Sequence, residues 1–307
     1  MAVISTLKYP IRKRKISLAP YIFISPFFLI FSVFLLFPIL YTGYISFHSW
    51  DGFTPRIFTG IANYLTAVRD PRFLRAISNT LLLMLMIIPI QITLGFLVAN
   101  ILSSKVMIWR KSFRLFNFLP FLTAPISLGV IFAILFDPIH GPINYMLGVL
   151  GIEGINWHGH VWAARILVAS ITIWRFFGYT AVLYMAGITS INPDLFEAAD
   201  IEGVNAFQKI VFITLPALKP VSIFIILTTM IGCFQIFEEP FLIFDSLGAR
   251  MVGGPDNAVL TAIWFYYDTA FRNMMRFGYA SSVAFVLFGI IAVMSLSVNK
   301  ILNRGGD

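Results

Sequence analysis

Residues 191–216 read INPDLFEAADIEGVNAFQKIVFITLP, and their reading sets the frame for the rest of the chain. Asn192 is suited to cap a helix, Pro193 falls at the favoured first helical position, and Asp194 and Glu197 suit the positive end of a helix dipole. Gly203 ends that helix, because glycine takes the left-handed conformation that a C-terminal turn needs. A second helix is predicted from Asn205 to about Thr214, with Phe207, Ile210 and Val211 at i, i+3 and i+4. Leu215-Pro216 is expected to stop it. Ala198, Ala199 and Gly203 leave a thin face onto which another protein could pack closely. Asp194, Glu197, Asp200 and Glu202 are four of the chain's 14 acidic residues and lie close together here. The residues alone leave two readings: an ordinary amphipathic loop at a membrane surface, or a docking hairpin.

The sequence on either side of this hairpin is of another kind. Of 307 residues, 59% are hydrophobic, 16% aromatic and 12% charged. A soluble domain carries about 25% charge, so a water-covered globule is excluded, and so are disorder, coiled coil and collagen. Six stretches are long enough for the roughly 20 residues of helix that cross a hydrocarbon core. They lie between Lys15 and Asp51, Arg75 and Lys105, Arg114 and Asp137, about Val161 and Ser190, Lys219 and about Phe244, and Arg276 and Lys300. Prolines 26, 38, 89, 125 and 240 inside them are tolerable where neighbouring helices re-satisfy the freed backbone groups. The fold class expected is an all-α polytopic membrane protein with six transmembrane helices.

Charge placement gives an orientation. With the amino terminus inside, thirteen of the 22 Lys and Arg, including every lysine, fall on the inner side, seven on the outer, and Arg165 and Arg175 within the fourth span. Both termini are therefore expected in the cytoplasm, and the net charge of +8 reads as topology, with no nucleic-acid partner. The cluster Arg12 to Lys15 is read as an anchor at the lipid surface. The apolar run after it is far longer than a signal peptide's 7–15-residue core, so it is read as a retained helix. The organisation expected is a basic segment 1–19, a first helix with outer loop 20–75, a core 76–302 containing the hairpin 192–216, and a tail 303–307.

Glu197-Ala198-Ala199, Gly203 at its fixed spacing and the closing Leu215-Pro216 resemble the EAA loop of permease subunits in binding-protein-dependent ABC importers. The resemblance extends over nearly the whole chain, toward the maltose-type sugar-permease branch. It is carried by SPFFLIFSVFLLFPILYTGYISFHSW (25–50), FTGIANYLTAVRDPRFLRAISNT (58–80), FLPFLTAPISLGVIFAILFDPIHGPINYML (118–147), FQIFEEPFLIF (234–244), Gly253-Gly254-Pro255 and AFRNMMRFGYASSVAFVLF (270–288). Two departures stand out: Glu202-Gly203-Val204 where the family often has Asp-Gly-Ala, and a longer stretch before the GGP turn. The resemblance implies a type I ABC importer half in the cytoplasmic (inner) membrane of a prokaryote, carrying a sugar or sugar derivative inward by alternating access. Glu197, Ala198, Ala199, Gly203, Leu215 and Pro216 would form its contact with a cytoplasmic ATPase dimer. A second, similar permease and an extracytoplasmic solute-binding protein are the other partners implied. The chain would bind no cofactor. ATP and Mg would sit on the ATPase, since a phosphate-cradling loop needs Gly-Lys-Ser/Thr and no lysine here follows a glycine.

Ionisable groups inside a membrane are functional candidates because placing them there costs at least about 2.5–3.5 kcal/mol. Arg175 falls near mid-membrane, among Trp174, Phe176, Phe177 and Tyr179, an aromatic cluster suited to the C–H faces of sugars. The resemblance places substrate contacts on the fourth and fifth spans, where Gln235, Glu238 and Glu239 are the polar residues of the fifth. Tyr179, Glu239 and Gln235 are expected to line the pathway. Arg175 either faces that pathway, which would favour an anionic substrate, or is neutralised by Glu238 or Glu239, or meets a partner subunit. A continuous helix from Lys219 would carry Glu238 about 28 Å along, toward the outer surface, which argues against a direct pair. Trp174 and Tyr179 could equally be packing residues. His158 and His160 lack further ligands nearby for a metal, and no HExxH or GxSxG marks a hydrolase. The rival reading is an ion-gradient-driven secondary transporter, which would show mid-membrane acids and inverted repeats.

Overall fold

The computed structural model describes residues 18–103, 109–246, 251–272 and 275–303. The basic cluster Arg12 to Lys15, together with Lys8, Lys105, Arg250, Arg304 and the tail beyond 303, lies outside the described residues. Among the described residues, five helices are long and apolar enough to cross a membrane, and a bent pair makes a sixth span.

The first span, α1 (Pro20–Ser46), is exposed along nearly its whole apolar length and meets the rest of the chain toward its end, where Gly43 lies against Phe285. Pro38 has no N–H to bond the carbonyl of Phe34, and its ring crowds that carbonyl. The turn before it widens to π geometry over Ser32–Leu36 and the helix continues. A two-stranded antiparallel hairpin follows, β1 (His48–Ser49) on β2 (Ile57–Phe58). Asp51 ties its turn by accepting from the Thr54 and Phe53 amides at 2.8 and 3.0 Å and from the Thr54 hydroxyl at 2.7 Å. These bonds, the Thr54 amide foremost, hold the Asp51 carboxyl down at about 2.

After a short surface helix, α2 (Ala62–Arg69), the second span is α3 (Pro71–Ser103). It starts earlier than expected, so residue 75 lies inside a helix and not at a boundary. Asp70 supplies the reason. Its carboxylate caps the Arg72 and Phe73 amides at 2.8 and 3.3 Å, with Pro71 at the first helical position. Arg72 and Arg75 are then carried on the helix, where they pair with Asp268 and Asp256.

The third span is not one helix. It is α4 (Arg110–Leu122) and α5 (Pro125–Leu135), bent by 96° at the break. Thr123 and Ala124 are extended, as residues before a proline prefer, and Pro125 opens a new helix. A short helix, α6 (Pro142–Val149), leads to α7 (Val161–Thr189), the fourth span. Asn144 organises the loop between them, accepting from Trp157 Nε1 at 2.9 Å and donating to Pro138 and Ile155 carbonyls.

The hairpin is α8 (Pro193–Ile201) and α9 (Ala206–Ala217). The Leu215-Pro216 stop is corrected: the second helix runs through Pro216, again by a π turn, Ile210–Thr214, containing the residue four before the proline. The fifth span is also interrupted. Its first part, α10 (Lys219–Phe234), ends at Gln235, and α11 (Glu238–Phe241) begins after a non-helical link. A buried segment, 258–262, and α12 (Ala262–Tyr267) precede the last span, α13 (Phe277–Asn303). The centre of the fold is α3 packed along α7, with α4 and α10 against them. A continuous core of buried Leu, Ile, Val, Phe and Trp side chains joins α3, α7, α10 and α12.

Candidate functional site

On α7, Thr172, Phe176 and Tyr179 are spaced by four and three residues, so they share one face. That face lines a cavity of about 270 Å³. Ile87 and Gln91 of α3 and Phe121 of α4 form two more walls. The fourth is α10, through Thr228, Thr229, Gly232 and Cys233, with Ile236 from the link beyond it. The lining is mostly apolar and aromatic, with a few polar groups and no charged side chain among the described residues. Phe121 stacks on Tyr179 with ring centres 4.8 Å apart and meets Phe176 edge-on at 5.8 Å. Thr172 spends its hydroxyl proton on the Val168 carbonyl and Thr228 on that of Phe224, leaving acceptor lone pairs for whatever enters. Gln91 donates to Thr180 Oγ1 at 2.9 Å, fixing the amide between α3 and α7.

This geometry needs Gly178. A Cβ there would lie 1.7 Å from the Asn117 carbonyl oxygen of α4. The missing side chain lets the two backbones touch, and that contact brings Phe121 over Tyr179.

Beside the cavity lies a cluster of charge. Arg175 Nη1 donates to Glu239 Oε1 at 2.8 Å and to Glu238 Oε2 at 3.2 Å. The Arg175 and Glu239 side chains are 14% and 7% exposed, whereas Glu238 is 50% exposed. The guanidinium carbon sits 5.2 Å from the centre of the Phe176 ring, so one aromatic ring separates the charges from the cavity. Pro125, Leu128 and Gly129 of α5 cover the buried side of the pair. Of the readings open for Arg175, neutralisation by Glu238 and Glu239 is the one the structure shows, and the depth argument against a direct pair fails. That argument assumed one helix from Lys219 onward, but α10 stops at Phe234 and the link 235–237 turns both glutamates onto α7.

The remaining candidates separate. Tyr179 lines the cavity. Gln235 is exposed at the link and is not among the lining residues. Trp174 is 41% exposed and packs edge-on to Phe132 of α5 at 5.3 Å, on another side of α7.

Asn79 and Thr80, not singled out in the sequence, together with Arg165 hold one end of the bundle together. Asn79 of α3 donates to the Asn257 and Leu260 carbonyls at 2.7 and 3.2 Å and accepts from Arg165 Nη2 at 3.1 Å. Arg165 Nε also reaches the Ala258 carbonyl, and Thr80 accepts from the Ala262 amide. The segment after the GGP turn is thereby drawn in between α3 and α7. A polar residue near the N-terminal end of each of two apolar spans, Asn79 and Arg165, was the available signal.

The hairpin is capped at every joint. Asn192 Oδ1 accepts from the Asp194 amide at 3.1 Å. Gly203 has φ +73°, and the Val204 amide closes back on the Ala199 carbonyl at 2.9 Å. Asn205 and Gln208 form a reciprocal capping box at 2.9 and 3.0 Å. Lys209 pairs with Asp200 across the two helices. Between the helices runs a groove lined by Leu195, Ala198, Ala199, Val204 and Phe212 among others. Glu197, Ala198, Gly203, Leu215 and Pro216 are exposed, Ala199 is buried, and Ile201, Phe207 and Phe212 present large apolar side chains outward. Among the described residues, no group of three His, Cys, Asp or Glu is placed to hold a metal.

Comparison with known proteins agrees with this architecture. The family model described as "Binding-protein-dependent transport system inner membrane component" matches residues 57–304. The chain is 34% identical to the arabinooligosaccharides transport system permease protein AraP of Halalkalibacterium halodurans, over 91% of this chain and 86% of that protein. It is 32% identical to the lactose transport system permease protein LacF of Rhizobium radiobacter, over 92% and 93%. Among solved structures it is similar in fold to a chain of a bacterial ABC transporter involved in the import of the acidic polysaccharide alginate. The TM-score there is 0.80 at 21% identity, covering 94% of this chain and 96% of that one.

Proposed function

Because the chain belongs to the family of binding-protein-dependent transport system inner membrane components, we propose that it is one membrane-spanning half of an ATP-driven sugar importer. The complete machine pairs it with a second, similar permease, a cytoplasmic ATPase dimer that holds ATP and Mg, and an extracytoplasmic solute-binding protein. The site is the prokaryotic cytoplasmic membrane, with the hairpin α8–α9 on the cytoplasmic side, where the lysines lie. The sugar class rests on relatives named for arabinooligosaccharides and lactose, together with the cavity's chemistry. Aromatic faces at Phe121, Phe176 and Tyr179, beside Gln91 and three threonines, suit a ring with C–H faces and hydroxyl edges.

The observation that carries the reading is the hairpin. Isolated short helices are marginal in water, yet α8 and α9 are held rigid by three caps and an ion pair while exposing apolar side chains. A rigid, exposed, partly apolar hairpin on a membrane protein is a surface made to be covered. In this reading it seats in the ATPase. Closure of the ATPase dimer displaces the hairpin, α9 passes the movement to α10, and the cavity is opened to one side of the membrane or the other. Glu197, Ala198, Ala199 and Gly203 form the seat, and Leu215-Pro216 joins the hairpin to the spans.

The test is reconstitution of the complex in vesicles. Uptake should require ATP and the cognate ATPase; uptake by this chain alone, driven by an ion gradient, would overturn the proposal in favour of a secondary transporter. A Cβ at Gly203 meets nothing within 4 Å, so Gly203→Val acts only through its φ of +73°, which costs about 1–2 kcal/mol for a non-glycine residue. The variant should insert normally while losing ATP-dependent uptake, with Gly203→Asn milder. Equal uptake by all three would refute the seat.

A further inference from the structure

Resting on that reading of the cavity as the sugar's path, we infer that the path selects uncharged saccharides and rejects acidic ones, and that Glu238 is the residue that sets this selectivity. The cavity wall carries no charged side chain. Arg175 lies against the Phe176 ring of that wall, and a free guanidinium there would attract a carboxylate or phosphate. It is not free. Glu239 and Glu238 both bond its Nη1, at 2.8 and 3.2 Å. Two carboxylates against one guanidinium leave a formal surplus of one negative charge, separated from the cavity by the Phe176 ring.

The two acids do different things. Glu239 is buried with Arg175 and neutralises it. Glu238, half-exposed, is the surplus, and it stands two residues beyond Ile236, which lines the cavity. An approaching uronate therefore meets a like charge, and the Arg175 guanidinium, although its Nε has no partner among the described residues, is outweighed by two carboxylates on Nη1. For a like charge about 10 Å away at an effective dielectric of about 20, Coulomb's law gives a weakening on the order of 10-fold. A neutral sugar pays no such penalty.

The test measures binding to the assembled complex of both permeases and ATPase in lipid nanodiscs, without solute-binding protein, so that selection by that protein does not enter. Lactose, arabinotriose and maltotriose are compared with digalacturonate and trigalacturonate by equilibrium dialysis. At least one neutral sugar should bind, and each uronate should bind 10-fold or more weaker than it. Glu238→Gln should narrow the gap to less than 3-fold, and added NaCl should narrow it in the wild type by screening. Uronates binding as tightly as the best neutral sugar in the wild type would overturn the inference whatever the variant does. An unchanged gap in a well-assembled Glu238→Gln complex would overturn the role of Glu238. ATP-dependent uptake by the vesicles described above is the separate control. If it fails, the importer reading falls; if it holds while uronates bind best, only the inference on charge falls.

Discussion

Replacement of Gly178 by alanine is the smallest change that should dismantle the cavity. The new methyl would be built 1.7 Å from the Asn117 carbonyl oxygen and 2.5 Å from its carbon. Carbon–oxygen contacts settle at about 3.3–3.6 Å, so α4 and α7 must part by at least about 1.6 Å where they cross. No side chain can rotate away, since the obstacle is backbone. Overpacking of this kind costs about 1–3 kcal/mol, and this case belongs at the upper end. Alanine's helix propensity returns about 1 kcal/mol, leaving a net loss of about 2 kcal/mol. Tyr179 is one residue past the crossing and Phe121 three past Phe118, so the stacked pair at 4.8 Å separates with the helices. The control is Gly289→Ala in α13, which makes the same propensity change with nothing within 4 Å of the new methyl. Thermal unfolding of the purified complex and sugar binding are the readouts. Gly178→Ala should lower both stability and affinity, while Gly289→Ala leaves affinity alone and does not destabilise. Equal stability and equal affinity for Gly178→Ala and the wild type would refute the close-contact account.

Three further outcomes are expected. Glu239→Ala removes the 2.8 Å partner of a 14%-exposed arginine and leaves only Glu238, costing about 2–3 kcal/mol, below the full penalty for an orphaned buried charge; Glu239→Gln, which keeps an acceptor, should cost less by the same unfolding assay. Asn205→Ala breaks the capping box at the head of α9 and should cost about 1 kcal/mol, read as faster amide exchange in residues 206–209 with the membrane spans unaffected. His158, half-buried with its ring edge-on to Phe244 at 5.6 Å, has its pKa lowered by burial from an ordinary value near 6.5, with Asp137 opposing. The folded state thus favours the neutral ring, so stability is full above about pH 6.5 and is lost as pH falls through the folded pKa. Unfolding temperatures between pH 7 and 5 should fall more steeply for wild type than for His158→Gln.

The spans and the hairpin were legible because each is written locally. Twenty apolar residues bounded by charges, an Asn-Pro cap, and a glycine at a fixed offset are short-range signals, and the helices start and stop close to where those residues sit. The two spans wrongly read as unbroken share one cause, which is that hydropathy summed over a span does not register a break of two or three residues in it. Thr123-Ala124 and Gln235-Ile236-Phe237 lie within stretches that look continuous, and only Pro125 and Pro240 hinted otherwise. The second break changed the chemistry, because a depth counted at a constant rise per residue sets Glu238 apart from Arg175. The Asn79–Arg165 network showed only its two side chains: its other acceptors are backbone carbonyls of a distant segment, and carbonyls leave no mark in a sequence.

The link 235–237 also has a mechanical meaning. The carbonyl of Ile236 accepts the Thr261 hydroxyl at 2.6 Å, and the same hydroxyl oxygen caps α12 by accepting from the Trp264 amide at 3.3 Å. One oxygen atom thus serves as a pin joining the end of α10 to the start of α12, with the glutamates hinged just beyond it. In the importer proposed above, a thrust along α10 from the hairpin would therefore reach the charged cluster and the buried 258–262 segment together, through that single oxygen.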